Sequence, residues 1–238
     1  MRTRVIRIPL DPLEIVNAHV VRGERAVLVD TGWPGSEPVL LKRLAETGVR
    51  PEDLSLILLT HGHVDHFGAA GGLRQSLGVP VAIHRLDADS PRRGGNPPFH
   101  ATGWAGRILA PFLHDRGTHR LKPFEPDVLI DGEMRLDDFG VAASAIPTPG
   151  HTPGCVSLLT DGGEAVVGDL IMGGLIRRWR PGYPIYADDL DRLRQSVRLL
   201  LERSPRIIHC AHGGPFTPER VARRFGLMQS DIRTTAGT

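Results

Sequence analysis

The sequence predicts an α/β chain, of mixed α+β character, in which two β-sheets pack together with helices on the outside. Three observations carry that expectation. A chain of 238 residues with 40% hydrophobic and 24% charged residues can bury a substantial core within one large domain. Short apolar segments alternate with amphipathic ones along the chain. A strand-rich stretch ending in a helix then occurs twice, once in each half.

In the first half, strand signals stand at Arg4 to Ile8, Ile15 to Val21 and Arg25 to Asp30, the last running into the turn "TGWPG". Ser36 is placed to cap a helix with Val39, Leu40 and Leu44 on one face, which Gly48 stops. The run "LSLILLT" from Leu54 to Thr60 is continuous rather than alternating, as in strands covered on both faces. A Gly- and Ala-rich helix is expected from Phe67 to Leu77, then a strand from Val79 to His84. The second half offers strands near Val128 to Ile130, Val141 to Ile146, Val156 to Thr160 and Ala165 to Val167. A helix from about Asp188 to Leu201, the strand "RIIHC" and a helix from Pro218 to about Met228 complete it. One domain is expected over 1–229, with 230–238 a frayed tail.

Between them, about 88–127 reads as an inserted segment rich in Pro, Gly and Arg. Trp104, Ile108 and Phe112 are spaced four apart, as on one helical face. Two roles are open to that helix: a cap packed on the core, or a lid over a substrate pocket. His114 and His119 lie in the same segment.

Composition removes several classes of function. A formal charge of +2 leaves no electrostatic footprint for nucleic acid or an anionic membrane. Two cysteines, Cys155 and Cys210, are too few for a disulfide framework. The first residues lack the apolar core of a signal peptide, and no apolar run approaches a membrane span. A cytoplasmic location is expected.

The chemistry concentrates in "THGHVDH", where His61, His63, Asp65 and His66 follow a buried strand. Three imidazoles and a carboxylate crowded there incur desolvation costs unless a cation holds them. One tetrahedral metal cannot easily take all four from so short a segment, whereas two can, His61 and His63 on one, Asp65 and His66 on the other. Each then needs further ligands, and His151 in "PTPGHTPG", Asp169 in "VVGDL" and His212 in "CAHGGP" stand beside glycines after apolar strands.

With an early "VDTG", the ordered series "THGHVDH", "PGHTPG", "GDL" and "AHGG" resembles the motifs of the metallo-β-lactamase-fold hydrolases, from about Val16 to His212. The resemblance implies a four-layer αβ/βα sandwich of two mixed sheets with a dinuclear zinc centre at one edge, iron or manganese being alternatives. It implies that His61, His63 and His151 bind one metal, that Asp65, His66 and His212 bind the other, and that Asp169 bridges. It also implies that Asp30 of "VDTG" orients the ligand loop.

Such a pair, roughly 3.5 to 4 Å apart, holds a bridging hydroxide at neutral pH and attacks an ester, lactone or thioester carbonyl. Asp65 would assist the leaving group. Aspartate at position 169, where the cysteine-bearing subclass of true β-lactamases differs, points to lactonase-like or hydroxyacylglutathione-hydrolase-like members. Several lactonases place a carbonyl-assisting tyrosine where this chain has Met172, so Tyr183 and Tyr186 in "PGYPIY" are the substitutes considered. The expected partner is a small molecule with an apolar portion, with neither nucleic acid nor membrane. Three other activities stay open: a phosphodiesterase or nuclease, an iron-containing oxidoreductase, and a β-lactam hydrolase. Nothing in the sequence sets an oligomeric state.

Overall fold

Two mixed sheets face each other. The computed structural model describes residues 3–98, 100–102, 121–174 and 178–227. The first sheet is formed by β1 (Arg4–Pro9), β2 (Asn17–Arg22), β3 (Ala26–Val29), β4 (Leu54–Leu58), β5 (Val81–His84) and β6 (Val128–Ile130), in that spatial order. The β1–β2–β3 pairs are antiparallel, and β3 through β6 run parallel. The second sheet comprises β7 (Met134–Arg135), β8 (Ala143–Pro147), β9 (Val156–Thr160), β10 (Glu164–Val166) and β13 (Ile207–His209), in the order β13-β10-β9-β8-β7. A small ribbon pairs β11 (Met172–Gly173) with β12 (Pro181–Gly182).

Six α-helices are found among the described residues: α1 (Glu37–Glu46), α2 (Val64–Phe67), α3 (Ala70–Leu77), α4 (Asp89–Arg93), α5 (Leu190–Glu202) and α6 (Pro218–Phe225). None is long and apolar enough to cross a membrane. Helix α1 starts without a side-chain cap from Ser36, contrary to expectation, and has a proline in its first turn instead, where fixed φ and a missing N–H fit. The helix expected from Phe67 is two pieces, α2 and α3. A Cβ on Gly68 would strike the backbone at Pro34 and Val64, so the chain turns there against the β3–α1 loop.

The continuous run in β4 is explained by its two covered faces. Leu54, Ile57 and Leu59 belong to a core shared with Leu40, Leu44 and Leu73 of the helices. Leu56 and Leu58 point the other way, into an inter-sheet core with Val27, Val29, Ala145, Val156 and Leu158. A third core packs Leu193, Val197, Val221 and Phe225 of α5 and α6 on the outer face of the second sheet. The layers are therefore helix, sheet, sheet, helix, and each buried Leu, Ile or Val contributes about 1.5–3 kcal/mol.

Within the segment expected as an insert, α4 and the stretch 121–127 leading into β6 are among the described residues. Phe124 packs on Phe67 with ring centroids 6.5 Å apart and joins Leu121 against the helix-side core. Trp104, Ile108, Phe112, His114 and His119 lie outside the described residues, as does the 230–238 tail.

Candidate metal centre

The seven expected side chains reach one place because of strand direction. Since β9 is antiparallel to both β8 and β10, and β13 is parallel to β10, strands β8, β10 and β13 share one direction. His151, Asp169 and His212 follow their carboxyl ends, as the loop of residues 60–66 follows that of β4. Open sheets present side chains for ligand binding at this end.

One group consists of His61, His63 and His151, all buried. His61 Nε2 stands 3.0 Å from His63 Nδ1 and 3.2 Å from His151 Nε2, and the last two nitrogens are 3.0 Å apart. Ligand nitrogens on a tetrahedral zinc, each at ~2.0–2.1 Å, are separated by roughly 3.3 Å, so the triangle has the size of such a face. The second group is Asp65, His66 and His212. His66 Nε2 and His212 Nε2 stand 3.7 and 3.4 Å from Asp65 Oδ2.

Asp169 lies between the groups. Its Oδ1 is 3.6 Å from His66 Nε2 and 3.4 Å from His212 Nε2, while Oδ2 is 3.7 Å from His151 Nε2. His66 Nε2 and Asp169 Oδ1 are buried with no hydrogen-bond partner. Orphaned polar atoms at that depth are costly, and a cation ligated by both would satisfy them, so the residues fit a metal site of the kind that the sequence implies.

The backs of His61, His66, His151 and His212 are tied down, which selects the tautomer facing the cluster. His151 Nδ1 donates to the Tyr186 carbonyl at 2.7 Å, and His212 Nδ1 to that of Ile15 at 2.8 Å. His66 Nδ1 donates to Asp30 Oδ2 at 2.8 Å. His61 Nδ1 lies 3.1 Å from Thr60 Oγ1, whose hydroxyl is 2.8 Å from the same Asp30 oxygen. Asp30 thus serves both groups. It sits in the left-handed region at φ 60°, which a short polar side chain tolerates.

Charge divides the groups. Burial pushes the His61 and His151 imidazoles below their ordinary range and His63 to about 3, with neighbouring imidazoles adding to the fall at His61 and His63. These rings are neutral and ready to ligate. Burial would also depress His66 and His212, but the surrounding carboxylates outweigh it: Asp30, Asp65 and Asp169 raise His66, and Asp169 and Asp65 lift His212 to about 10. Burial opposes ionisation of Asp65 and Asp169 too. The imidazoles win there, holding Asp65 at about 2 and Asp169 well below the usual carboxylate range.

Three anchors went unseen in the sequence. Asp87, just past β5, accepts from Gly62 N, Gly154 N and Thr152 Oγ1 at 2.8, 2.8 and 2.6 Å. Asn96 Oδ1 accepts from Val64 N at 2.7 Å. Asn17 donates both its backbone N–H and Nδ2 to the Ala211 carbonyl, beside His212. Only Asp87 stands just after a strand, whereas Asn17 opens β2 and Asn96 follows α4. The two tyrosines fall differently: Tyr186 supplies its carbonyl to His151, whereas Tyr183 packs on Phe225 at 4.5 Å with the Arg224 guanidinium 5.3 Å from its ring centroid.

Comparison with known proteins identifies the family. The sequence pattern described as "Metallo-beta-lactamase superfamily" matches residues 11–212. The probable metallo-hydrolase YflN of Bacillus subtilis is 29% identical over 213 residues, 80% of this chain and 76% of that protein. The hydroxyacylglutathione hydrolase GloC of Haemophilus influenzae is 28% identical over 207 residues, 82% of each chain. The crystal structure of TTHA1623 in a di-iron-bound form matches with a TM-score of 0.65 at 30% identity, covering 92% of this chain and 97% of that one. The two facing sheets with outer helices are the fold of that family, and this chain is a member of the metallo-beta-lactamase superfamily, a metal-dependent hydrolase.

Proposed function

We propose that the chain is a dinuclear zinc hydrolase acting on the carbonyl of an ester, lactone or thioester. The observation that carries the reading is the placement of Asp169, with one oxygen toward each of two separate ligand groups. Bound there, two metal ions supply a Lewis acid for the carbonyl and water that ionises near neutral pH. His61, His63 and His151 hold one ion as neutral donors; Asp65, His66 and His212 hold the other, and Asp169 joins the two. Asp65, an ionised carboxylate with a side chain 20% exposed, is the group that would take up the proton released when water ionises and pass it to the leaving atom. Tyr186 is the tyrosine kept for orienting the carbonyl, because its main chain already touches His151. Tyr183 is not, its ring being engaged with Phe225.

A substrate with an apolar portion is supported by the rim. Leu13 and Ile15 are 65% and 47% exposed beside the carbonyl that holds His212, and Trp179 is 61% exposed. The Arg178 guanidinium bonds to the Leu13 carbonyl and joins the two sides of that rim. The thioester option draws support from the likeness to a hydroxyacylglutathione hydrolase, and the likeness to a di-iron structure makes iron the alternative metal. The reading places the enzyme in the cytoplasm, acting without nucleic acid or membrane.

Elemental analysis of purified protein and a panel of lactone, thioester, β-lactam and phosphodiester substrates test it. Two zinc ions per chain with turnover of the first two classes are expected. Fewer than two ions, or turnover confined to β-lactams or phosphodiesters, would overturn the reading.

A further inference from the structure

We infer that Asp87 is the positioning residue of the three-histidine half of the centre, its carboxylate locking the loop of His61 and His63 to the loop of His151. The inference rests on the two-metal reading above. Gly62 lies between two of the ligands, and its N–H donates to Asp87 Oδ2 at 2.8 Å. Thr152 follows the third ligand and donates its hydroxyl to the same oxygen at 2.6 Å, while Gly154 N donates to Oδ1 at 2.8 Å. One side chain, 5% exposed, therefore joins two loops separated by about ninety residues of sequence, and all three of its donors belong to one ligand group.

The surroundings are built for that carboxylate. A Cβ on Gly154 would lie 2.5 Å from Asp87 Oδ1, and one on Gly62 would lie 2.7 Å from Ser90 Oγ and 3.0 Å from the Asp87 carbonyl oxygen. Only glycine lets both loops come so close. The spacing on the ligand loop is also regular: the N–H groups of Thr60, Gly62 and Val64 go to Asp30, Asp87 and Asn96. These anchors fix the bends that carry His61 and His63 and the first residue of α2, behind which Asp65 and His66 follow. Of these anchors, Asp87 alone also grips the His151 loop. Groups that orient ligands without touching the metal typically change affinity by about 10–100-fold when removed.

The test measures Co2+ affinity by chelator competition, with visible absorption reporting ligand geometry, in backgrounds that keep one ligand group. In His212→Ala, which leaves the three histidines intact, Asp87→Asn should weaken binding about 10–100-fold and shift the cobalt spectrum. In His63→Ala, which leaves the other group intact, it should change affinity by less than about twofold. Equal losses in both backgrounds, the mark of general destabilisation, would overturn the inference, as would no loss in the first. Should Asp87→Asn not fold, Thr152→Val removes one donor and keeps the carboxylate. It should cost about fivefold in the first background only, and no loss there is again contrary. Wild type is titrated first: fewer than two ions per chain overturns the two-metal reading, whereas two ions with Asp87→Asn inert overturns only the role of Asp87.

Discussion

Four of the seven candidate ligands arrive on one short segment that runs from β4 into α2, and the other three arrive singly on three loops after β8, β10 and β13. The first set is held by side-chain oxygens on alternate N–H groups. The second set leans on distant backbone: His151 on the Tyr186 carbonyl and His212 on that of Ile15. A contiguous loop can be made rigid locally, whereas dispersed ligands are only as well placed as the sheet that spaces them. Each half of the centre draws on both kinds, so neither is complete without the inter-sheet core.

Removing the ligand common to both halves has the largest expected effect. Asp169→Ala should weaken both ions and lower kcat at least ~1000-fold, comparable to loss of a principal catalytic group. Steady-state rates with metal titration measure this, and wild-type turnover with one ion lost would restrict Asp169 to a single site. Stripping the metals comes next. At a thousandfold excess over Kd, ligands stabilise by about 4 kcal/mol each, so chelation should drop the Tm by roughly 10 °C or more. Calorimetry with and without chelator decides, and an unchanged Tm would mean that the anchors alone hold the loops.

Gly168→Ala tests whether the dispersed set leans on the contiguous loop. At φ 52° the residue is in the left-handed region, and a Cβ would lie 2.5 Å from Thr60 Oγ1, displacing the hydroxyl between His61 and Asp30. A loss of about 1–3 kcal/mol in denaturant unfolding is expected. Gly162→Ala, with its nearest neighbours 3.7 Å away, should cost under about 1 kcal/mol. Apart from that control, Asn17→Ala has the smallest expected effect, about 1 kcal/mol of stability. It should also loosen the ion held by His212 severalfold in chelator competition, and equal loosening of both ions would show that the tether acts on the whole sheet.

What the sequence disclosed follows the same division. Imidazoles clustered after a buried strand have a chemical identity that survives without coordinates, and the continuous apolar run of β4 announced two covered faces. Two-residue strands such as β7, β11 and β12 are too short for any periodicity and went unread. Asp87 stood in "HRLDADS" as one acid among ordinary turn residues, because what distinguishes it is a set of donors from two far loops. Asn17 and Asn96 were hidden because each is marked only by one partner far along the chain, the Ala211 carbonyl and the Val64 N–H. The tyrosines were read by their phenols, yet the described contact of Tyr186 with the cluster runs through its carbonyl, an atom every residue possesses. Ser36 had the right composition for a cap and the wrong geometry, with helical φ and ψ of −75° and −10°.

The two hydrogen bonds from Asn17 to the Ala211 carbonyl join residues 194 apart, and the hydrogen bond from His212 to Ile15 joins residues 197 apart. Contacts of such long sequence separation form late, because the loop between them must be closed first. During synthesis the four-ligand loop emerges when most of the second sheet does not yet exist, and β13 is among the last strands translated. A nascent chain can therefore present crowded histidines long before it can enclose a pair of ions. On the two-metal reading proposed above, full metal loading requires that β2 and β13 have met, which would make ion content a reporter of completed folding.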